Sequence, residues 1–301
     1  MPIKTWNAAW RDLKTKLAVK CEGCGNYTRS PWRRLWHRPH GVRMRGSWYC
    51  KAECLERAVS EILDRGGSGS SRDVLSAHRI PLGLLLLSRQ QLTAVQLRTA
   101  LARQRTAGHG KIGEWLQQLG YATEWQITAA LARQWSCPVL RNSPATLGAS
   151  RFIPIPVLLL ESIQMIPVEF VEASQTLLLA FSEAVDHSVL YAVEQMLGYH
   201  TEACFVCPST LHKGLEALAQ IRGSGDVVFD KEEDARECAR IIVSYAAKVA
   251  AEEIRLVKCG KHVWIRLQQP EHEAVNLVLR SPLRRAPSRS EFPFAAVTAA
   301  G

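Results

Sequence analysis

One stretch of this chain is written twice at a spacing of thirty residues. Residues 82–104, shifted forward by thirty, fall on residues 112–134. Gly83 lands on Gly113, Leu86 on Leu116, Thr93 on Thr123, Gln96 on Gln126 and Gln104 on Gln134. A fixed period marks a supersecondary unit used more than once. Thr93-x-x-Gln96 and Thr123-x-x-Gln126 have the form of capping boxes, which satisfy the orphan amides at a helix start. After each cap, apolar residues recur at helical spacing: Leu97, Ala100 and Leu101, then Ile127, Ala130 and Leu131. Each unit therefore reads as a short helix, a turn and a longer capped helix. Neither unit can bury its own apolar face, so the two are expected to pack together. Gln104 and Gln134 end the apolar stripes; they either face a shared cleft or simply close the helix ends.

The pattern [RK]-[LI]-G-x-x-L, then G-[LIY]-x-[ST], then L-x-x-Q, given twice, resembles the N-terminal domain of type II secretion and type IV pilus assembly ATPases. The second copy follows it with Lys111, Ile112, Gly113, Leu116, Gly120 and Gln134. The first copy has Pro81 in place of the cation and Gln90 in place of the second glycine, with Arg79 two residues away. The resemblance implies binding of cyclic di-GMP between the units, as in a subset of that family. The residues it marks are Gly83, Leu86, Gln104, Lys111, Ile112, Gly113, Leu116 and Gln134. On this reading the lysine meets a phosphate or guanine face, the glycines admit the ligand to the backbone and the glutamines bond base edges.

The resemblance continues through Ile155-Pro156, Ile166-Pro167-Val168, Leu177-Leu178-Leu179-Ala180 and Leu197-Gly198, and so covers about residues 79–222. By pattern this second part is a helix, strands at 165–171 and 176–181, a helix from His187 stopped by Gly198, a strand at 201–206 and a last helix. It reads as a small α/β sandwich. Cys204 and Cys207 lie on or beside that last strand and are read as core and strand-end residues, not as a metal pair.

Charge is concentrated at the start. Of a net +10, residues 1–57 hold thirteen Lys/Arg against four acids, or +9. Within them, Cys21-x-x-Cys24 and Cys50-x-x-x-Cys54 have zinc-ligand spacing, the second pair at a helix start. His37 or His40 as a replacement ligand is the less favoured option. Four thiolates on zinc carry −2, which leaves the module at +7. Between the pairs, Trp32, Arg33, Arg34, Trp36, His37, Arg38, Arg43, Arg45 and Trp48 interleave aromatics with cations. They suit either stacking on nucleic acid or another anionic surface, or a small aromatic core with solvated arginines. The resemblance does not extend over this module.

Near Asp226 a third piece begins. Cys238, Ile241, Ile242, Tyr245 and Val249 share a helix face, and residues 253–258 and 262–267 alternate as a hairpin about Cys259-Gly260-Lys261. The expected architecture is thus α+β and multidomain. It comprises a small four-cysteine zinc module (1–64), a duplicated helical hairpin domain (72–146), a small α/β sandwich (147–222), a C-terminal helix plus β-hairpin (226–280) and a disordered tail (281–301).

The P-loop pattern G-x-x-x-x-G-K-[ST] does not occur in the sequence. Asp186-His187 is read as a helix cap and Glu271-His272-Glu273 as a charged loop. The expectation is a non-enzyme without signal peptide or membrane span, cytoplasmic, and peripheral to the inner membrane only through partners. It is read as a regulatory or adaptor protein binding cyclic di-GMP or a secretion or pilus assembly component. A nucleic-acid-binding protein led by residues 1–57 and a pure protein scaffold are the alternatives.

Overall fold

The computed structural model describes residues 19–26, 41–65, 79–141, 154–221, 226–231, 233–269 and 272–280. The stretch 31–40, with Trp32, Arg33, Arg34, Trp36, His37, Arg38 and His40, and the tail 281–301 lie outside them.

The doubled stretch forms α2 (Leu82–Ser88), α3 (Ala94–Ala107), α4 (Ile112–Gln118) and α5 (Glu124–Gln134). Both capping boxes are present. Thr93 Oγ1 accepts the Gln96 amide at 3.2 Å, and Gln96 Oε1 accepts the Thr93 amide at 2.9 Å. The second copy repeats this at 3.3 and 2.8 Å. The copies interlock: α2 packs on α5 and α3 on α4. Leu82, Leu86, Leu92, Ala100, Leu116, Ala122, Ile127 and Ala130 make one shared core.

The turn between short and long helix is also repeated. Gln91 N–H bonds the Leu86 carbonyl as Tyr121 N–H bonds that of Leu116. This turn needs one left-handed residue. Gly120 supplies it at φ 68°, and Gln90 is held in the same conformation at φ 56°. A side chain there costs about 1 kcal/mol relative to glycine. A Cβ on Gly120 would meet nothing within 4 Å, so backbone conformation, not crowding, sets the preference.

The α/β sandwich follows the expected order: α6 (Val157–Ile163), β3 (Met165–Val171), β4 (Thr176–Phe181), α7 (His187–Leu197), β5 (His200–Phe205) and α8 (Pro208–Ile221). β4 pairs antiparallel with β3 and parallel with β5. Asp186 caps α7 by accepting the Ser188 amide, and Gly198 ends it in the left-handed conformation. Cys204 is fully buried, and burial drives its thiol up to about 12. The Cys207 sulfur instead takes the Thr128 hydroxyl at 3.6 Å, so the two thiols serve separate surroundings.

The sequence reading separates residues 1–64 from 226–280; the structure joins them. β1 (Val42–Met44), β2 (Ser47–Tyr49) and α1 (Ala52–Arg65) come from the first segment. β6 (Val227–Phe229), α9 (Ala235–Lys248), β7 (Glu253–Cys259), β8 (His262–Gln268) and β9 (Val275–Arg280) come from the second. They build one sheet in the order β2-β1-β7-β8-β9-β6. β1 runs parallel to β7, with Arg43 opposite Glu253 and Met44 opposite Ile254. α1 packs on α9 over one face, where Ile254, Leu256, Val263, Ile265 and Leu267 are buried as expected. The other face carries Val257, Cys259, Trp264 and Val278 into the sandwich core, against α7. A sheet covered on both faces explains why β9 buries four successive residues, Asn276 to Leu279, which alternation does not reveal.

Candidate functional site

The four N-terminal cysteines converge. The Sγ atoms of Cys21, Cys24, Cys50 and Cys54 all lie within 4.8 Å of one another. Zinc at about 2.3 Å from four sulfurs separates them by roughly 3.8 Å, so the cluster fits a tetrahedral ion. Local folding brings them there. Cys21 and Cys24 sit on a turn closed by Gly25 N–H to the Cys21 carbonyl at 2.9 Å, and Cys54 lies in the first turn of α1. Gly23 is required between the first pair, because a Cβ there would stand 2.7 Å from Cys54 Cβ.

The electrostatics also suit a cation. Burial raises the Cys21 thiol, but hydrogen bonds from Cys50, Cys24 and Gly23 outweigh it and bring the group to about 6. Cys50 is pushed to about 12 by burial, hydrogen bonding to its neighbour thiols and the negative charge of Cys21 and Cys24. Cys54 rises for the same reasons. One thiolate makes the next costly, and a divalent ion removes that conflict. Trp48 is buried beside Cys21 in this core, with Gly41 against its indole, so it serves packing. Arg43 and Arg45 are exposed.

In the repeats, the two glutamines act across the pair. Gln104 Nε2 donates to the Gly110 carbonyl at 2.8 Å, and Gln134 Nε2 donates to the Ile80 carbonyl at 2.6 Å. Ile80 and Gly110 are themselves thirty residues apart. Each amide therefore holds the strand of backbone leading into a short helix, and the two bonds are related by a local two-fold. A hydrogen bond of this kind stabilises by about 1 kcal/mol. It also aligns residues 81 and 111, the cation positions of the motif, on one frame.

The other marked residues divide. Leu86 and Leu116 are fully buried and belong to the core. Gly83 and Gly113 are buried as well. A Cβ on Gly83 would lie 2.7 Å from Leu97 Cδ1, and one on Gly113 3.2 Å from Ile127 Cγ2. Close approach of the long-helix side chains requires glycine here. Ile112 is half-buried at the start of α4. Lys111 is exposed, and its backbone amide is fixed by Glu114 Oε2 at 3.2 Å. Its ammonium bonds the carboxylate of Glu183, in the turn between β4 and α7. Arg79, two residues from the missing cation, is stacked 3.0 Å over the Trp135 ring. Facing the sandwich, Glu124 caps α8, taking the Ser209 amide and hydroxyl at 2.7 Å each. A cleft of about 330 Å³ opens beside it, lined by Trp125, Leu140, Arg141, Cys207 and Thr210. Sequence reasoning found neither Glu183 nor Glu124: Glu183 stands 72 residues from Lys111 and Ser209 85 from Glu124, outside any local pattern.

A crossed, two-fold pair of capped helical hairpins followed by an α/β sandwich defines the class of domain: a duplicated helical-hairpin module with an attached α/β body. No family model and no curated protein match the chain. Among solved structures it is similar to MshE with cdg, at 25% identity over 46% of this chain and 99% of that one, with a TM-score of 0.37. It is also similar to the N-terminal domain of XpsE in two crystal forms. These give 19% and 20% identity, cover 45% and 49% of this chain and 91% and 95% of those, and have TM-scores of 0.34 and 0.28.

Proposed function

We propose that this chain is a non-catalytic regulatory or adaptor protein that binds cyclic di-GMP across the doubled motif and works in the cytoplasm beside secretion or pilus assembly components. The observation that supports it best is the crossed pair of glutamine bonds, from Gln104 to Gly110 and from Gln134 to Ile80. They set two copies of one motif about a local two-fold, and cyclic di-GMP is a two-fold anion with two guanines. Lys111 is the one cation at the motif's cation positions and is assigned to a phosphate. The resemblance read from Lys111-Ile112-Gly113 through Gln134 supplies the ligand class. Among the described residues, no helix is long and apolar enough to cross a membrane.

Calorimetry on the full chain tests the reading. Micromolar or tighter binding is expected, weakened about tenfold by Lys111→Ala through loss of one charge-assisted contact. Absence of heat at high micromolar cyclic di-GMP sinks it.

The four-cysteine group is proposed to hold a structural zinc that staples β1 to the C-terminal sheet. Protons compete with the metal for thiolate, so acidification releases it. Cys50 and Cys54, whose thiols burial and the neighbouring thiolates push up, are expected to take protons first as the metal leaves. Chelation is expected to speed exchange of the Arg43 amide, which bonds the Glu252 carbonyl at 2.8 Å. A metal-to-protein ratio near zero by elemental analysis rules the zinc out.

A further inference from the structure

The Lys111 ammonium is the group assigned above to a ligand phosphate, and an internal carboxylate already occupies it. We infer that Glu183 is a built-in competitor, a carboxylate latch that cyclic di-GMP must displace, so that ligand binding releases the turn between β4 and α7 from the second copy of the motif. This deepens the nucleotide reading and rests on it.

Geometry carries the inference. Glu183 and Ala184 form a short exposed bulge between two buried anchors, Ser182 and Val185. The bulge can swing without opening the core. The Lys111 backbone keeps its place when Glu183 leaves, because its amide is capped separately by Glu114. A carboxylate and a phosphate oxygen make the same demand on an ammonium, and one ammonium on this frame cannot give its full charge to both. Other ties between the second copy and the sandwich, among them Glu124 to Ser209, Thr128 to Cys207 and the packing of Ala132 into the sandwich core, do not involve Lys111. Release is therefore confined to the turn. Position 81 holds proline, so the first copy has no equivalent latch and the device is one-sided. By linkage, whatever the latch takes from ligand affinity, the ligand takes from the latch. The Lys111 and Glu183 side chains are 64% and 56% exposed, which keeps the effect small.

The test uses the full chain, calorimetry with cyclic di-GMP, and hydrogen exchange of residues 182–186. Glu183→Gln is expected to tighten binding about two- to fivefold, the range of an exposed ion pair. Glu172→Gln, an equal charge change on the β3–β4 turn, is expected to leave it unaltered. Saturating ligand is expected to speed exchange at 182–186 in the wild type and to change nothing there in Glu183→Gln. Equal or weaker affinity in Glu183→Gln overturns the latch alone, as does equal tightening by Glu172→Gln. No binding to any of the three proteins overturns the nucleotide reading and the latch with it.

Discussion

The two copies of the repeat share a fold and differ in what they are fastened to. In the second copy, α5 buries Ile127, Thr128, Ala130 and Ala132, and its outer face lies on the sandwich through Ala132, Leu131 and Trp135. In the first, α3 buries only Ala100, and Val95 is 65% exposed where its counterpart Trp125 lines the cleft. Ala94 and Arg98, at the positions of Glu124 and Thr128, are exposed too. The inner halves are alike because both must fill one core. The outer halves have diverged because only one of them meets another body. The same division separates the motif positions. Among those that pack, Gly83 with Gly113 and Leu86 with Leu116 are identical and Leu82 with Ile112 differs only between two aliphatic side chains, whereas the outward-facing Pro81 and Lys111 are unlike.

Experiments can strain this comparison from either side. The largest effect is expected inside. Leu86→Ala and Leu116→Ala each remove a fully buried side chain from one core and should cost about 3 kcal/mol in denaturant unfolding. Costs that differ by more than about 1 kcal/mol would break the equivalence of the inner halves. Next is the missing cation. Pro81→Lys replaces an N-cap residue that makes no side-chain cap bond. On the proposed nucleotide reading it should tighten cyclic di-GMP several-fold by giving the second phosphate a partner. Unchanged affinity would mean that the first copy does not face the ligand. The smallest effect concerns the turn. Gln90→Gly should stabilise by about 0.5–1 kcal/mol, and Gly120→Gln should destabilise by a similar amount. Opposite signs in a thermal melt would contradict the shared left-handed conformation.

Much of the candidate site was legible in the sequence, and the particular residues show why. The four cysteines announced themselves through two short spacings, each confined to one turn. The glutamines announced themselves through their place at the end of an apolar stripe. Which carbonyls they grip was not legible, since that depends on how the two hairpins cross. The glycines were legible as special, and which side chains approach them was not. A glycine that admits a ligand and one that admits a leucine look the same until the helix packed beside it is known. Lys111 was legible as a cation and its partner was not, because Glu183 approaches from a different domain.

By itself the sequence determined the period of thirty, both capping boxes, the stop at Gly198, the strands at 165–171 and 176–181 and the two cysteine pairs. All of these arise from interactions spanning a few residues, where backbone sterics, capping and side-chain periodicity decide the outcome. Tertiary structure alone decided that β1 and β2 join β7 across some two hundred residues, that β6 and β9 complete the sheet, and that the cysteine group belongs to the C-terminal body. Strands of three residues such as β1, β2 and β6 carry too little pattern to be seen. A parallel pairing between chain ends has no turn to announce it, so only the burial of a common core brings the partners together.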